Sequence, residues 1–195
     1  MTDKMTFTDR LRRATDGIVN PVARGLAKAG VRPAMLTTLG AFLTLVAGVL
    51  AAAGLFRIAG LALLLGAPFD AIDGAVARAL NRETDFGALL DSTFDRYSDA
   101  FVLGGIALWM ARSGAQTGVG LAIAALFGAV MVSYLRARSE GLRIDNRIGL
   151  MTRVERTLVL ILMLALQQVM IGLWILAIFT HVTVVQRLLY ARKQL

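Results

Sequence analysis

The sequence predicts an all-α, polytopic membrane protein, and three observations carry that expectation. Of its 195 residues, 57% are hydrophobic and 17% charged, against about 45–50% and about 25% in soluble domains. The apolar residues fall in continuous blocks rather than alternating, which favours helices over a transmembrane barrel. Most of the blocks approach the ~20 residues that cross a bilayer core, where lipid tolerates only helices or closed barrels.

The elements follow in order. A leading basic segment, about residues 5–30, places Phe7, Leu11, Ile18, Val22 and Leu26 at helical spacing between Arg and Lys. It reads as an amphipathic helix lying on an anionic membrane surface. A bundle over about residues 34–190 then holds six predicted spans: 34–55; 58 to about 80, with Pro68 inside it; about 86–110; about 119–135; about 154–170; and 171 to about 189. No repeat or low-complexity tract interrupts them, so 1–195 reads as a single domain. Gly40, Gly48, Gly104 and Gly128 read as helix-packing positions. Trp109 and Trp174 suit an interfacial belt, and His181, the only histidine, suits a hydrogen-bonded packing role.

Charge sets the orientation. The net charge of +8 gathers before the first span, at Arg78 and Arg82, between Arg136 and Arg156, and at Arg187, Arg192 and Lys193. The opposite connections carry only Arg57 and Arg112. An excess of Arg and Lys marks the cytoplasmic side, which places both termini there in a multi-pass cell (inner) membrane protein. It also accounts for the positive charge without nucleic acid. The absence of cysteine excludes disulfides, thiolate ligands and a cysteine nucleophile.

Carboxylates inside this apolar chain are the informative feature. Asp70 and Asp73 are three residues apart and Asp91 and Asp95 four, so each pair shares one helical face. The short polar linker 81–85 suggests that the two helices are antiparallel neighbours whose four carboxylates meet across one interface. Like charges so close repel; one or two hard divalent ions, Mg²⁺ or Mn²⁺, resolve the conflict and take further ligands from substrate phosphates. Gly74 and Gly87 permit close approach, and Arg78 suits a bidentate phosphate contact. A structural Asp–Arg network, or the ion path of a small cation transporter, are the competing readings. Asp99 reads as a structural polar contact. Farther along, Ser133, Arg136, Arg153, Arg156 and Arg187 could face one pocket near the carboxylates, where several guanidiniums suit a phosphate dianion. Arg143 and Arg147 read as ordinary surface charge.

Asp70, Asp73, Gly74, Ala77, Arg78, Gly87, Asp91 and Asp95 fit D-x2-D-G-x2-A-R-x8-G-x3-D-x3-D at every fixed position. This pattern resembles the signature of the CDP-alcohol phosphotransferase family. The resemblance implies six transmembrane helices, a homodimer, and a cytoplasm-facing site holding two Mg²⁺ or Mn²⁺ ions. It also implies transfer of a phosphatidyl group from CDP-diacylglycerol to an alcohol, releasing CMP. In that scheme Asp70, Asp73, Asp91 and Asp95 hold the metals, and Asp95 is also the general base. Gly74, Ala77, Arg78 and Gly87 line the CDP-lipid pocket. Thr37 stands in for a nucleotide contact where relatives carry Asp or Asn and this chain has Ala34. The segments SYLRAR, RVER and VQRLL are similar to those of prokaryotic phosphatidylinositol phosphate synthases and their archaeal counterparts. That branch implies a polyol phosphate acceptor, inositol 1-phosphate, held by Ser133, Arg156 and Arg187, with Arg136 and Arg153 in support. Glycerol 3-phosphate, the acceptor of phosphatidylglycerophosphate synthases, remains the alternative.

Overall fold

The computed structural model describes residues 7–195, with side chains from residue 15 onward; Lys4 and the side chains of Phe7, Arg10, Leu11, Arg12 and Arg13 lie outside the described residues. The described residues are helical, without strands: α1 (Phe7–Lys28), α2 (Pro33–Ala52), α3 (Phe56–Gly66), α4 (Pro68–Ala79), α5 (Asp85–Arg112), α6 (Gln116–Glu140), α7 (Arg153–Ala165) and α8 (Val169–Gln194).

Local chemistry sets the boundaries. Gly30, at φ 79°, closes α1, and the Val31 N–H returns to the Leu26 carbonyl, a left-handed helix stop. Pro33 then opens α2 from an extended Arg32, as the residue before a proline prefers. Pro68 has no N–H to give and separates α3 from α4, although Ala67 keeps helical dihedrals. Asn81, at φ 50°, ends the α4 segment, and Thr84 caps α5 by accepting the Gly87 N–H at 3.0 Å. A reciprocal capping box between Thr152 and Glu155 starts α7.

The chain is a multi-pass membrane protein: Pro33–Ala52, Phe56–Ala79, Gln116–Glu140 and Val169–Gln194 are long and apolar enough to cross a bilayer. The fifth predicted span, 154–170, is corrected. α7 ends at Ala165, and the chain turns through Gln167 at φ 58°, so α8 begins at Val169, two residues before the predicted 171. Two adjacent glutamines, Gln167 and Gln168, carry the turn.

α2 packs extensively against α5, α3 and α4, and α6 packs against both α5 and α8. The expected α4–α5 neighbour pair is also corrected: α2 packs on both, and α4 and α5 share little contact of their own. Bulky side chains such as Phe42, Val49, Leu61, Ile123, Phe127 and Ile178 point outward, as lipid-facing positions do. On α1, Ala23 is buried and packs with Val19, Leu26 and Ala27 beside Ala75 and Val76 of α4, while Ile18 and Val22 are exposed.

Small residues let α2 and α5 touch through backbone. A Cβ on Gly105 would stand 2.1 Å from the Gly48 carbonyl oxygen, whereas one on Gly104 would meet nothing within 4 Å. Gly48 is therefore a packing glycine, meeting Gly105, whereas Gly104, also expected at a packing position, meets nothing among the described residues. Trp109 is fixed edge-on to Phe56 at 4.8 Å, and His181 Nδ1 pairs with the Ala177 carbonyl at 2.9 Å. Overpacking a close crossing costs about 1–3 kcal/mol. Gly105→Val should therefore lower the thermal midpoint in detergent by several degrees, and Gly104→Val should leave it nearly unchanged; thermal unfolding followed by tryptophan fluorescence checks both.

Candidate metal and phosphate site

Asp70 on α4 and Asp91 and Asp95 on α5 bring one carboxylate oxygen each to within 4.8 Å of one another. Asp73 stands differently. It is 6% exposed and accepts a 2.6 Å hydrogen bond from the Thr37 hydroxyl of α2, while the charges of Asp91 and Asp70 act on it. Three carboxylates thus converge, and the fourth, adjacent, is held by the helix that packs on both α4 and α5. Thr37 is correspondingly buried on Asp73 rather than on an open pocket wall.

The arginines divide into separate roles. Arg153, the first residue of α7, pairs with both Asp70 and Asp95, so it sits with the acids and apart from the expected acceptor group. Arg156, 4% exposed, donates from Nη2 to Asp99 Oδ2 at 2.8 Å, which gives Asp99 the structural contact anticipated for it. One carboxylate cannot satisfy five N–H donors, and Arg156 Nε has no partner among the described residues. Arg187, 3% exposed, donates from Nε to the Ile148 carbonyl at 2.9 Å and from Nη1 to the Val132 carbonyl. Arg136 pairs with Glu140 one turn along α6, both half-exposed, and Ser133 is half-buried on the same helix. The charges of Arg136 and Arg156 nevertheless act on Arg187, so these groups form one electropositive region.

Two residues were missed by sequence reasoning. Arg96, next to Asp95, lies 3.4 Å from its carboxylate and feels the charges of Arg156 and Arg136. An arginine inside an apolar helix one position after a site aspartate was the available signal. Asn146 is fully buried and donates to the Ser139 hydroxyl and the Arg187 carbonyl, both at 3.0 Å. With the Met151 N–H on Thr183 and the Leu150 N–H on Gln186, it straps the 141–152 connection onto α8. Nothing in its sequence context marked it.

A small cavity of about 20 Å³ lies between the acids and the Asp99 pair, lined in part by Asp70, Asp95, Ser98, Asp99, Arg153 and Thr157; it has room for a water. On the other side of α4, Arg78, Asn20, Arg24, Ala75 and Ala79 line an open groove of about 450 Å³. Arg78 folds back so that Nη1 lies 3.4 Å from where a Cβ on Gly74 would stand. Ala77 is half-buried, and Gly87 lies exposed in the first turn of α5.

Residues 31–186 match the CDP-alcohol phosphatidyltransferase family. The chain belongs to this family. Among CDP-alcohol phosphatidyltransferases, it is 37% identical to an archaetidylinositol phosphate synthase of Pyrococcus horikoshii, over 89% of this chain and 90% of that one. It is also 37% identical to a phosphatidylinositol phosphate synthase of Mycobacteroides abscessus, over 88% and 82%. The crystal structure of Mycobacterium tuberculosis phosphatidylinositol phosphate synthase with CDP-DAG bound superposes with a TM-score of 0.82, at 30% identity over 89% of this chain and 93% of that one. The same enzyme in complex with manganese and citrate gives a TM-score of 0.79. The donor set here fits such an ion, since three carboxylates offering only oxygen, in a chain without cysteine, suit a hard divalent cation.

Breaking a buried ion pair from one side strands the other charge and costs about 3–5 kcal/mol, whereas replacing both partners by apolar residues is often tolerated. Asp99→Ala should therefore destabilise the protein strongly, and Asp99→Leu combined with Arg156→Met should recover most of the loss. Thermal midpoints of the single and double variants check this.

Proposed function

We propose that the protein transfers a phosphatidyl group from CDP-diacylglycerol to inositol 1-phosphate, yielding phosphatidylinositol phosphate and CMP. The observation that carries this reading is the convergence of Asp70, Asp91 and Asp95 beside a region of buried arginine, in a chain with 37% identity to enzymes named for inositol phosphate transfer.

In this reading Asp70, Asp73, Asp91 and Asp95 hold two Mg²⁺ or Mn²⁺ ions, which when bound neutralise the donor diphosphate and favour CMP as leaving group. The acceptor hydroxyl oxygen attacks the lipid-bearing phosphorus while the P–O bond to CMP breaks. The hydroxyl proton passes to the Asp95 carboxylate and then to water. Gly74, Ala77, Arg78 and Gly87 border the CDP-lipid, and the groove shared by Arg78 and Arg24 gives its polar part room. Ser133, Arg156 and Arg187 hold the acceptor phosphate, supported by Arg136. The free Nε of Arg156 is a donor this role would use.

The enzyme is read as a homodimer in the cell (inner) membrane, with termini and site facing the cytoplasm. α5 and α7 bring the spans to six. α5, at 28 residues, is long enough but carries most of its charge in its first half; α7, at 13 residues, covers about 20 Å. α1 is the amphipathic helix lying along the membrane surface, its buried face resting on α4. The equal identity to the Pyrococcus horikoshii enzyme favours a second reading in which the donor carries archaeal-type tails and the acceptor is unchanged.

Purified protein given Mn²⁺ and CDP-diacylglycerol should release CMP on addition of inositol 1-phosphate, and far less with glycerol 3-phosphate; the reverse order overturns the acceptor assignment. Asp95→Asn should lower kcat by at least ~100-fold, the usual scale of a lost general base, while keeping CDP-lipid binding. Arg187→Ala should chiefly raise the acceptor KM. An unchanged KM would remove Arg187 from the acceptor site.

A further inference from the structure

We propose that Arg153 is a built-in counter-cation of the carboxylate cluster that divalent ions displace, so that metal loading delivers its guanidinium to the acceptor phosphate. The inference rests on the metal-site reading above. Arg153 opens α7 and forks, with Nη2 on Asp70 of α4 and Nη1 on Asp95 of α5. It therefore claims two of the three carboxylates whose oxygens converge within 4.8 Å. A hard divalent ion sits about 2.0–2.1 Å from its oxygen ligands, closer than a guanidinium nitrogen approaches a carboxylate. Two cations drawn to the same two carboxylates also repel one another, so they compete for the cluster.

The surroundings decide which way Arg153 goes. Its side chain is 31% exposed, so it has room to leave, unlike the 5% exposed side chain of Arg156. The α7 backbone beneath it stays in place, because Thr152 and Glu155 close a capping box around its first turn. The movement is thus one of side-chain rotamer. Arg156 lies three residues on, on the same helical face, already paired with Asp99 and acting electrostatically on Arg187. A released Arg153 swings toward that pair and gives the acceptor phosphate a further guanidinium. Metal and acceptor then bind with positive linkage, each favouring the arrangement the other needs.

The test needs no turnover. Mn²⁺ binding to the purified protein, without nucleotide, is measured from the electron paramagnetic resonance of free Mn²⁺. Arg153→Ala should bind Mn²⁺ more tightly than the parent, by about tenfold on the usual scale of such couplings. Isothermal titration of inositol 1-phosphate should show Mn²⁺ tightening its binding in the parent and doing so much less in Arg153→Ala. Equal or weaker Mn²⁺ affinity in Arg153→Ala, or undiminished tightening by Mn²⁺, overturns the proposal. If Arg153→Ala does not survive purification, Arg153→Lys, which reaches one carboxylate instead of two, decides by the same criterion. Asp91→Asn separates the two readings: retention of full Mn²⁺ affinity there refutes the metal site itself, whatever Arg153 does.

Discussion

Negative charge inside an apolar bundle is the constraint on which the rest of the structure depends. A carboxylate loses most of its hydration when buried, and the cost is met only by a partner placed within hydrogen-bonding range. Four acids here find one on another helix. Asp73 takes the Thr37 hydroxyl from α2, Asp70 and Asp95 take Arg153 from α7, and Asp99 takes Arg156, again from α7. The acids of α4 and α5 therefore fix where α2 and α7 stand. The same contacts that assemble the site tie the helices together at the polar end of the bundle, while Gly48 and Gly105 bring α2 and α5 into contact farther along.

The arginine side obeys a different rule. Arg187 is anchored to two backbone carbonyls, Ile148 and Val132, and Asn146 pins the connecting segment to the main chain of Arg187 itself. Rotamer entropy of about 2 kcal/mol for a free arginine is largely spent in folding rather than at binding. A guanidinium held in this way is preorganised, as a specific phosphate contact requires. Arg153, with neither backbone anchor nor deep burial, keeps the freedom that Arg187 and Arg156 have given up. Three residues of one type thus differ in freedom by what holds them.

That difference explains what was and was not legible in the sequence. Residue spacing alone identified the acids, because i,i+3 and i,i+4 pairs must share a face on any helix. The membrane class followed from the continuity of the apolar blocks. Nothing local, however, states which helix lies between two others. α2 packs on both α4 and α5 because its small residues accept close neighbours, and that removed Asp73 from the convergent set. Gly104 and Gly105 are adjacent in sequence but 100° apart around α5, so only the direction of α2 distinguishes them. The end of α7 was hidden because Leu166 extends the apolar run into a turn made by Gln167. Asn146 was invisible because a buried loop asparagine has the same sequence context as a solvated one.

The proposed chemistry brings together two anionic reactants, a diphosphate and a phosphate. At a separation of about 6 Å and an effective dielectric of about 20, one pair of unit charges repels by about 3 kcal/mol, and these reactants carry several such pairs. Positive charge on both sides of the reacting phosphorus offsets that repulsion. In the proposed reaction the carboxylates would recruit it on the donor side, and the electropositive region of Arg136, Arg156 and Arg187 would supply it on the acceptor side. Asp99 binds Arg156 beside the small polar cavity, so α5 and α7 fix that guanidinium's position before either reactant arrives.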